Sequence, residues 1–592
     1  MLDVAILGQV AFGYSPYIDK NRSVSATRLT VFPLRPDMAP DAAQLLEAIA
    51  GVWPADGAKV SLNVASESLL QELMQAQPAG NVMVEIPAFM ACDAANTAAI
   101  VALHGHGNTL LLKGRPLAEL PRDDPAGAAR GLIELLDTYN RAGFAHRHDL
   151  GFLDSVRADV ESVLPALQAT LNGAGLPLNR AVRHQVHLIE KLLKALATAY
   201  SRVVLGPAPL LGLLHRSQLH PALVHALDLL SRRLQLSYRF YARQPRRVWR
   251  TMHALYRRAS YWQLEQQAIG EASALSIYRS ALLTDFAIPA QLDTGELQRV
   301  REYIARFGDA AALGSVRRIE RAVDVFVIDG RADRAGVALA KRPDALPRQG
   351  AWVLATRRLG ERAEDHLRQL ETGASTMKVG LPYHPNPSQY RDLLQRLAAN
   401  WRGQRRQRAA RMRFRPRAEL RVGFPMTWQL LDPATADRRQ PNGMSAANEW
   451  TVLNESPDGF ALRHVTGSMT SLNVGEIVGV RLRERAAPFV CIARWIQSDS
   501  PDRLEIGLQQ VAPKLVPVTF IGDPSHRTTT QPVLFAPTSP DFNRVPVIVA
   551  PARLIRPERD FQIHYVGSKI GLHAVRALES TPYVDVLQVR PI

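Results

Sequence analysis

The chain has 592 residues, of which 46% are hydrophobic and 21% are charged. This composition is typical of a globular protein and excludes a largely disordered chain, and the length predicts about three to five domains. The formal net charge is +17, and only nine of the 72 basic residues are lysine. A basic protein attracts polyanions, so the partner classes to consider are nucleic acid, anionic lipid and phosphorylated ligands.

The two cysteines, Cys92 and Cys491, lie far apart, which excludes a disulfide framework and zinc-finger spacing. So few cysteines fit a reducing compartment. The first residues lack a basic segment and include Asp3, which argues against a signal peptide. We find no run of about 18 apolar residues that would predict a membrane span. We therefore expect a soluble, cytoplasmic protein.

Residues 1–125 alternate strand-like and helical segments, which predicts an α/β domain with a parallel sheet. The expected strands are Val4–Leu7, Arg28–Phe32, Lys59–Val64, Val82–Ile86 and Thr109–Leu112, and the expected helices are Asp41–Ile49 and Glu67–Gln75.

Residues 126–310 are expected to be helical. The leucines from Leu223 to Leu234 recur at the spacing of one helix face, and His187–Leu205 is amphipathic as well. Long helices joined by short turns predict a bundle or a helical-repeat region.

Aromatic residues and arginines alternate in this helical region, at Tyr238–Tyr241 and Tyr256–Arg258. If these aromatic side chains are exposed, the pattern is typical of a nucleic-acid surface or of a groove for a protein partner. It is also typical of a packed helix with a solvated edge. We favour the protein-partner groove.

The last half of the chain, residues 311–592, divides into three segments of different pattern. Residues 311–401 predict a mixed α/β segment with strands at Val323–Ile328 and Ala351–Ala355. Residues 402–515 are arginine-rich and then β-rich. Residues 516–592 carry short β segments and many prolines, which predicts a β extension or a small β domain.

The segment 402–421 contains nine arginines in 20 residues. Arg417 and Arg421 form an Arg-x-x-x-Arg pair, and Arg413 with Arg417 forms a second pair at the same spacing. A guanidinium group is a planar fork that can bind phosphate oxygens or a guanine edge through two hydrogen bonds, and such a contact contributes about 1–3 kcal/mol. We prefer the pair Arg417 and Arg421, which leads directly into the expected strand Val422–Leu431. The pair Arg413 and Arg417 is the rival register, and Arg417 belongs to both.

About 30 residues later, Asn454-x-Ser456-x-x-Gly459 stands between strand-like segments. The Asn454 amide both donates and accepts hydrogen bonds, and Ser456 adds a hydroxyl. Gly459 can adopt a positive φ, which lets the backbone approach a ligand closely. These groups are able to bind a polar ligand, and the same pattern also occurs in ordinary β-hairpin turns.

An Arg-x-x-x-Arg pair followed by Asn-x-Ser-x-x-Gly in a β-rich context resembles the PilZ domain, and Glu476–Leu482, Phe489–Trp495 and Leu504–Gln509 resemble later strands of its barrel. The resemblance implies an antiparallel β-barrel within residues 402–515 that binds the bacterial messenger cyclic di-GMP. It implies a receptor rather than an enzyme. The ligand-binding residues that it implies are Arg417, Arg421, Asn454, Ser456, Gly459 and Arg413.

The first 125 residues also resemble the front half of an EAL phosphodiesterase barrel, through Ser61-Leu-Asn63 and Met83-Val-Glu85. In that family such an asparagine and glutamate bind metal ions. The Glu-Ala-Leu motif is absent, and Leu110–Lys113 stands where a pair of aspartates is expected, so a two-metal site cannot assemble. The resemblance implies a truncated, degenerate and inactive domain. Asn63 and Glu85 can equally be ordinary polar residues at strand ends.

The sequence thus predicts a multidomain α+β protein with an α/β amino-terminal domain, a helical central region and a PilZ-like antiparallel β-barrel near the carboxy-terminus. We expect no catalytic residue, no metal site and no cofactor other than the ligand cyclic di-GMP. The predicted function is a non-enzymatic receptor that relays the signal to a protein partner through the helical region. The alternative is a nucleic-acid-binding protein that uses the same arginines on phosphates.

Overall fold

The computed structural model describes residues 10–18, 24–33, 41–53, 59–64, 66–76, 78–91, 94–113, 124–142, 149–206, 216–315, 324–341, 351–384, 387–403, 416–432, 449–466, 471–483, 485, 487–500, 503–521, 530–537, 545–565 and 567–592. The chain divides into two compact units. The first consists of residues 1–172, 181–233 and 255–274, and the second of residues 173–180, 234–254 and 275–592.

A five-stranded sheet with interspersed helices forms the amino-terminal part of the first unit. Its elements are β1 (Val10–Ile18), β2 (Val24–Pro33), α1 (Ala42–Val52), β3 (Val60–Val64), α2 (Glu67–Gln75), β4 (Val82–Pro87), α3 (Ala88–Ala91), α4 (Ala94–Gly105) and β5 (Leu110–Lys113). β1 pairs antiparallel with β2, and β2 to β5 pair in parallel in chain order. The predicted parallel sheet is confirmed for these four strands. β1 was not predicted, and the expected strand Val4–Leu7 lies outside the described residues.

Helices dominate the next part of the chain, as predicted. They are α5 (Pro125–Ala142), α6 (Asp149–Ala169), α7 (Arg180–Leu205), α8 (Arg216–Arg239), α9 (Val248–Trp262), α10 (Ala274–Phe286) and α11 (Thr294–Phe307), and a short hairpin of β6 (Ala268–Ile269) and β7 (Ala272–Ser273) precedes α10. Leu223, Leu227, Leu230 and Leu234 of α8 are all buried, which confirms the predicted apolar face.

The alternating aromatic residues of this region are not exposed. The buried aromatic side chains are Tyr238, Phe240, Tyr241 and Tyr256. The Tyr238 hydroxyl donates to Asp285 at 2.8 Å and the Tyr241 hydroxyl donates to the Leu292 carbonyl at 2.7 Å. The expectation of an exposed aromatic surface was therefore wrong, because these rings are packed and the hydroxyls of Tyr238 and Tyr241 are hydrogen-bonded inside the protein.

A small antiparallel sheet and two helices follow. They comprise β8 (Ala312–Ser315), β9 (Val325–Ile328), β10 (Val337–Ala338), β11 (Trp352–Ala355), α12 (Arg357–Glu371) and α13 (Pro387–Trp401), with the strand order β10-β9-β11-β8. The indole of Trp401, at the end of α13, is fully buried and donates to the Leu283 carbonyl at 3.1 Å.

The first barrel is a closed, antiparallel, six-stranded barrel. It comprises β12 (Arg417–Val422), α14 (Phe424–Leu431), β13 (Glu449–Ser456), β14 (Gly459–Thr466), β15 (Ile477–Leu482), β16 (Phe489–Ser500) and β17 (Arg503–Gln510), in the order β12-β13-β14-β17-β16-β15. The expected strand Val422–Leu431 was wrong. Gly423, with φ +90°, ends the strand, and Pro425 stands in the first turn of a helix, where its missing N–H costs nothing.

The second barrel is also closed and has six antiparallel strands. They are β18 (Val516–Ile521), β19 (Thr530–Ala536), β20 (Val547–Pro551), β21 (Asp560–Tyr565), β22 (Ser568–Ser580) and β23 (Val584–Pro591). Their order, β18-β19-β20-β23-β22-β21, repeats that of the first barrel position by position. In both barrels the fifth strand is the longest, and its register shifts twice against the sixth. The two barrels therefore have the same topology.

The two barrels share an apolar layer in addition to their separate interiors. Along β16, Cys491 and Ala493 face the interior of the first barrel, whereas Val490 and Ile492 join the shared layer. Alternate residues of β20 divide in the same way between the shared layer and the interior of the second barrel. Both faces of these strands are buried, which explains continuous apolar runs such as Val547–Ala550.

The predicted fold class is confirmed: a mixed α/β protein with a helical centre and a closed antiparallel barrel of the predicted kind near the carboxy-terminus. None of the helices within the described ranges is both long enough and apolar enough to cross a bilayer.

Candidate ligand-binding site

The Asn-x-Ser-x-x-Gly segment forms the tight hairpin that joins β13 to β14. Ser456 and Gly459 face each other across the hairpin, and the Ser456 hydroxyl donates to the Gly459 carbonyl at 3.3 Å. Asn454 lies opposite Ala461, two residue pairs further from the turn. Its side chain is half-buried and has no hydrogen-bond partner within the part of the chain that the structure describes. The hairpin thus presents polar groups at one end of the barrel.

Gly459 is required by the neighbouring strand. Its φ is +154°, and a Cβ atom would lie 2.0 Å from the Leu508 carbonyl oxygen and 2.9 Å from the Cα of Gln509. A close approach of two backbones at this distance admits only glycine. The motif glycine therefore has a structural role in the pairing of β14 with β17, whatever it does for a ligand.

The chain enters the first barrel beside this hairpin. The Pro416 carbonyl accepts a hydrogen bond from the Val452 amide at 3.0 Å, two residues before Asn454 along β13. Arg417 follows at once, and its side chain is 45% exposed. Its guanidinium lies 3.0 Å from Glu449, which also pairs with Arg483 at 2.7 Å. Pro416 and the start of β12 thus lie towards the end of the barrel that carries the hairpin.

Arg421 lies towards the opposite end of the barrel. Glu419 pairs with Glu449, the first residue of β13, and Asn454 lies five residues further along that strand. Arg421 is two residues from Glu419 in the other direction, which separates it from Asn454 by about 20 Å at about 3.3 Å per residue. Its guanidinium pairs with Glu419 at 2.6 Å. Arg413 lies outside the described residues.

Two carboxylates of β13, one at each end of the strand, were not singled out from the sequence. Glu449 holds Arg417, and Glu455, inside the motif itself, pairs with Arg485 at 2.8 Å. Arginines that bind an anionic ligand are also stabilised by nearby carboxylates. Acidic residues in the strand next to the arginine-rich segment were therefore the sequence signal that could have predicted these ion pairs.

The amino-terminal residues that resemble an EAL metal site have other contacts. Glu85 is buried and accepts hydrogen bonds from Ser61 at 2.8 Å, from Tyr17 at 2.9 Å and from both ends of the Arg28 guanidinium at 2.8 and 2.6 Å. Burial, together with the Glu85 hydrogen bond, raises the pKa of Tyr17. The Asn63 amide donates to Thr30 at 3.1 Å. The side chains of Glu85 and Asn63 therefore form hydrogen bonds to neighbouring strands of the sheet.

No three His, Cys, Asp or Glu side chains among the described residues are grouped as metal ligands. The EAL resemblance finds no support in the comparisons below, and it stays a prediction.

A closed six-stranded antiparallel barrel with an Asn-x-Ser-x-x-Gly hairpin beside an arginine-rich entry defines the PilZ class of ligand-binding domain. Comparison with family models agrees with this class. Residues 429–517 match the model described as the middle PilZ domain of the cyclic-di-GMP receptor FimW, and residues 114–318 match the model described as the N-terminal domain of the same receptor. The chain therefore contains a PilZ domain, and residues 114–318 are similar to a second domain of that receptor.

The matches confirm the resemblance that the sequence indicated, and both descriptions are of receptors rather than of catalytic enzymes. The PilZ match begins after Arg417 and Arg421, so the choice of arginine pair is not tested by it. Comparison with curated proteins gives no match.

Proposed function

We propose that this protein is a non-enzymatic receptor for cyclic di-GMP and that the messenger binds at the hairpin of the first barrel. The observation that carries the proposal is the convergence of the Asn454–Gly459 hairpin with the entry of the arginine-rich segment at Pro416, in the barrel that matches a PilZ domain. Cyclic di-GMP carries two phosphate charges and two guanines, and guanidinium groups bind both kinds of acceptor.

The geometry favours Arg413 and Arg417 as the arginine pair of the site. Arg417 is exposed at the hairpin end of β12, and Arg413 precedes it by four residues in the sequence. Arg421 is about 20 Å from Asn454 by strand geometry. When Arg417 turns to a phosphate, Glu449 keeps Arg483 as its partner, so no carboxylate is left without a counter-charge.

We propose that the signal leaves the hairpin by two routes. The first is ordering by the ligand of the predicted linker 402–421, which joins the barrel to the preceding domains; because residues 417–421 already form β12, this proposal applies to the part before β12. The second route is a chain of contacts from the hairpin to the second barrel. Gly459 pairs with Gln509, whose side-chain oxygen accepts a hydrogen bond from Arg494 at 2.8 Å. The Arg494 guanidinium also donates two hydrogen bonds to Glu579 of the second barrel, the one from Nη2 at 2.7 Å. A protein partner at the helical region, and a cytoplasmic location, stay predictions.

The test is calorimetric titration of cyclic di-GMP into the purified full-length protein. We expect micromolar or tighter binding, weakened at least about tenfold in Arg417→Ala and in Ser456→Ala. The matched pair Arg413→Ala and Arg421→Ala decides the register: the first should weaken binding at least about tenfold and the second less than about twofold. Absence of heat with well-folded protein would contradict the receptor function.

Limited proteolysis tests the linker route. Trypsin should cleave within residues 402–421, where arginines are dense, and saturating messenger should protect this segment. Tight binding with unchanged cleavage there would contradict ligand-induced ordering of the linker.

Nucleic-acid binding is the second candidate, because the segment 402–421 holds nine arginines in 20 residues. A segment that binds the phosphates of single-stranded nucleic acid would show an affinity that falls steeply with salt concentration. That affinity would not change in Asn454→Ala or Ser456→Ala. Salt-series titrations of these two variants with an oligonucleotide and with the messenger separate the two functions.

A further inference from the structure

The hairpin that is proposed to bind the messenger carries a negative charge of its own. Glu455 stands between Asn454 and Ser456, and its side chain is 20% exposed. Its cross-strand partner is Phe460, which belongs to the interior of the first barrel, so Glu455 lies at the barrel mouth, next to the hairpin's polar residues. A carboxylate in this position repels a ligand that bears two phosphate charges.

Arg485 is held against this carboxylate by three contacts. Its guanidinium lies 2.8 Å from Glu455, and its Cζ lies 5.5 Å from the ring centroid of Phe489. Its amide donates to the Leu482 carbonyl at 3.2 Å in the turn that follows β15. Phe489 in turn packs edge-to-face on Phe460, with ring centroids 5.1 Å apart. The ring contact and the turn fix the guanidinium before any ligand arrives.

We propose that Arg485 is a positioning residue of the messenger site, which neutralises Glu455 so that the hairpin accepts a dianionic ligand. The inference rests on the proposed function of the hairpin. Arg485 is outside both the arginine-rich segment and the Asn-x-Ser-x-x-Gly pattern, and it acts on the ligand through Glu455. The expected effect of Arg485 on ligand affinity is electrostatic. Because the Arg485 side chain is 46% exposed, dissolved salt screens this interaction, with a screening length of about 10 Å at 0.1 M salt.

The experiment is calorimetric titration of cyclic di-GMP into the full-length protein, with the variants Arg485→Ala, Arg485→Lys, Glu455→Gln and the double variant Glu455→Gln/Arg485→Ala. At low salt, Arg485→Ala should weaken binding about five- to tenfold, and Arg485→Lys, which keeps the charge, should stay within about twofold. Glu455→Gln should bind as well as the unaltered protein or better. The double variant should match Glu455→Gln, because the charge that Arg485 offsets is gone.

Two controls separate this role from a structural one. Arg463→Ala removes a similar ion pair on β14, with Glu505 at 2.6 Å, and should leave the affinity unchanged. The loss in Arg485→Ala should also shrink when the salt concentration is raised, which a packing defect would not do.

The inference fails if well-folded Arg485→Ala binds within about twofold of the unaltered protein, or if Arg485→Ala loses as much affinity in the Glu455→Gln background as alone. Should Arg485→Ala not fold, Arg485→Lys and Glu455→Gln decide, since a clear loss of affinity in either one contradicts the role. Absence of binding by the unaltered protein would instead contradict the proposed function of the hairpin.

Discussion

The two barrels have one topology and different chemistry. Each has six antiparallel strands in the same order, is closed by pairing of its first and fourth strands, and shifts register twice along its longest strand. In the first barrel, the second and third strands are joined by the tight Asn454–Gly459 hairpin, and nine arginines stand before or within the first strand. In the second, residues 537–546 join these strands, and Val511–Leu515 precedes the first strand without an arginine.

The comparison teaches that the barrel provides a frame and that two short segments add the ligand chemistry. The apolar alternation that closes both barrels carries no information about a ligand. The hairpin and the entry segment carry that information, and the second barrel has neither the Asn-x-Ser-x-x-Gly pattern nor an Arg-x-x-x-Arg pair. We therefore expect the messenger site in the first barrel alone. The shared apolar layer makes the second barrel a structural neighbour of that site.

The largest effect is expected where the barrels meet. Phe424, at the start of α14, is 7% exposed and belongs to the shared apolar layer. Phe424→Ala should lower the free energy of unfolding by about 3–5 kcal/mol, because it leaves a cavity between the two barrels. Urea denaturation followed by fluorescence measures the loss. Met426→Ala, an exposed position on the same helix, is the control and should cost less than about 0.5 kcal/mol. A loss in Phe424→Ala as small as in the control would contradict a shared layer.

A smaller effect should distinguish the hairpin glycines of the two barrels. Gly459→Ala places a Cβ atom 2.0 Å from the Leu508 oxygen and should destabilise the protein by about 3 kcal/mol, since backbone must move. Gly567 precedes the fifth strand of the second barrel with φ +76° and open space around it, so Gly567→Ala should cost only about 1 kcal/mol for the backbone conformation. Equal losses in the two variants, measured by chemical denaturation, would show that the close approach of β17 does not constrain the first hairpin.

The smallest effect concerns the attachment of α13 to the second barrel. The Asp392 carboxylate accepts from the Ser580 amide at 3.1 Å, and burial raises the pKa of Asp392 to about 6. Burial and the nearby Glu296 likewise raise the pKa of Asp293 to about 6. An unfolded aspartate has a pKa of about 3.9, so the folded protein binds more protons between about pH 4 and pH 6. These groups therefore make the protein more stable as the pH falls through this window, and they contribute least above it.

Asp392→Asn keeps an acceptor for the Ser580 amide and removes one of the two titrations. Relative to the unaltered protein, the slope of unfolding free energy against pH in this window should change by up to about 1.4 kcal/mol per pH unit. Urea denaturation at a series of pH values measures it. Asp309→Asn, an exposed carboxylate, should leave the slope unchanged. An unchanged slope in Asp392→Asn would mean that this carboxylate is not desolvated at the junction.

Much of the fold could be read from local pattern. Four strands of the amino-terminal sheet, β2 to β5, and the leucine face of α8 follow from local sequence pattern, which depends only on neighbouring residues. The segment after Val422 was misjudged because Phe424–Leu431 is apolar, and a short apolar run does not distinguish a strand from a helix. The aromatics near Tyr238 were misjudged because burial depends on what packs against a helix, and the arginines beside them gave no indication of that.

The candidate site divides in the same way. The hairpin motif and the arginine pairs indicated the kind of ligand through their resemblance to the PilZ domain, and their functional groups are able to bind phosphate and guanine. The preference for Arg413 over Arg421 needed the register of β12 against β13, since both pairs have the same spacing in sequence. Arg485 gave no signal in sequence, because it approaches Glu455 across 30 positions of chain.

The sequence by itself determined most of the helices and strands, the polar hairpin and the arginine-rich segment, because each depends on residues close together in the chain. Only the tertiary structure decided that residues 516–592 repeat the topology of the first barrel, that the two barrels share an apolar layer, and that Gly459 touches the backbone of Leu508. The physical reason is that barrel closure and sheet packing join strands distant in sequence. Their free energy comes from apolar surface buried between such strands, which no local pattern specifies.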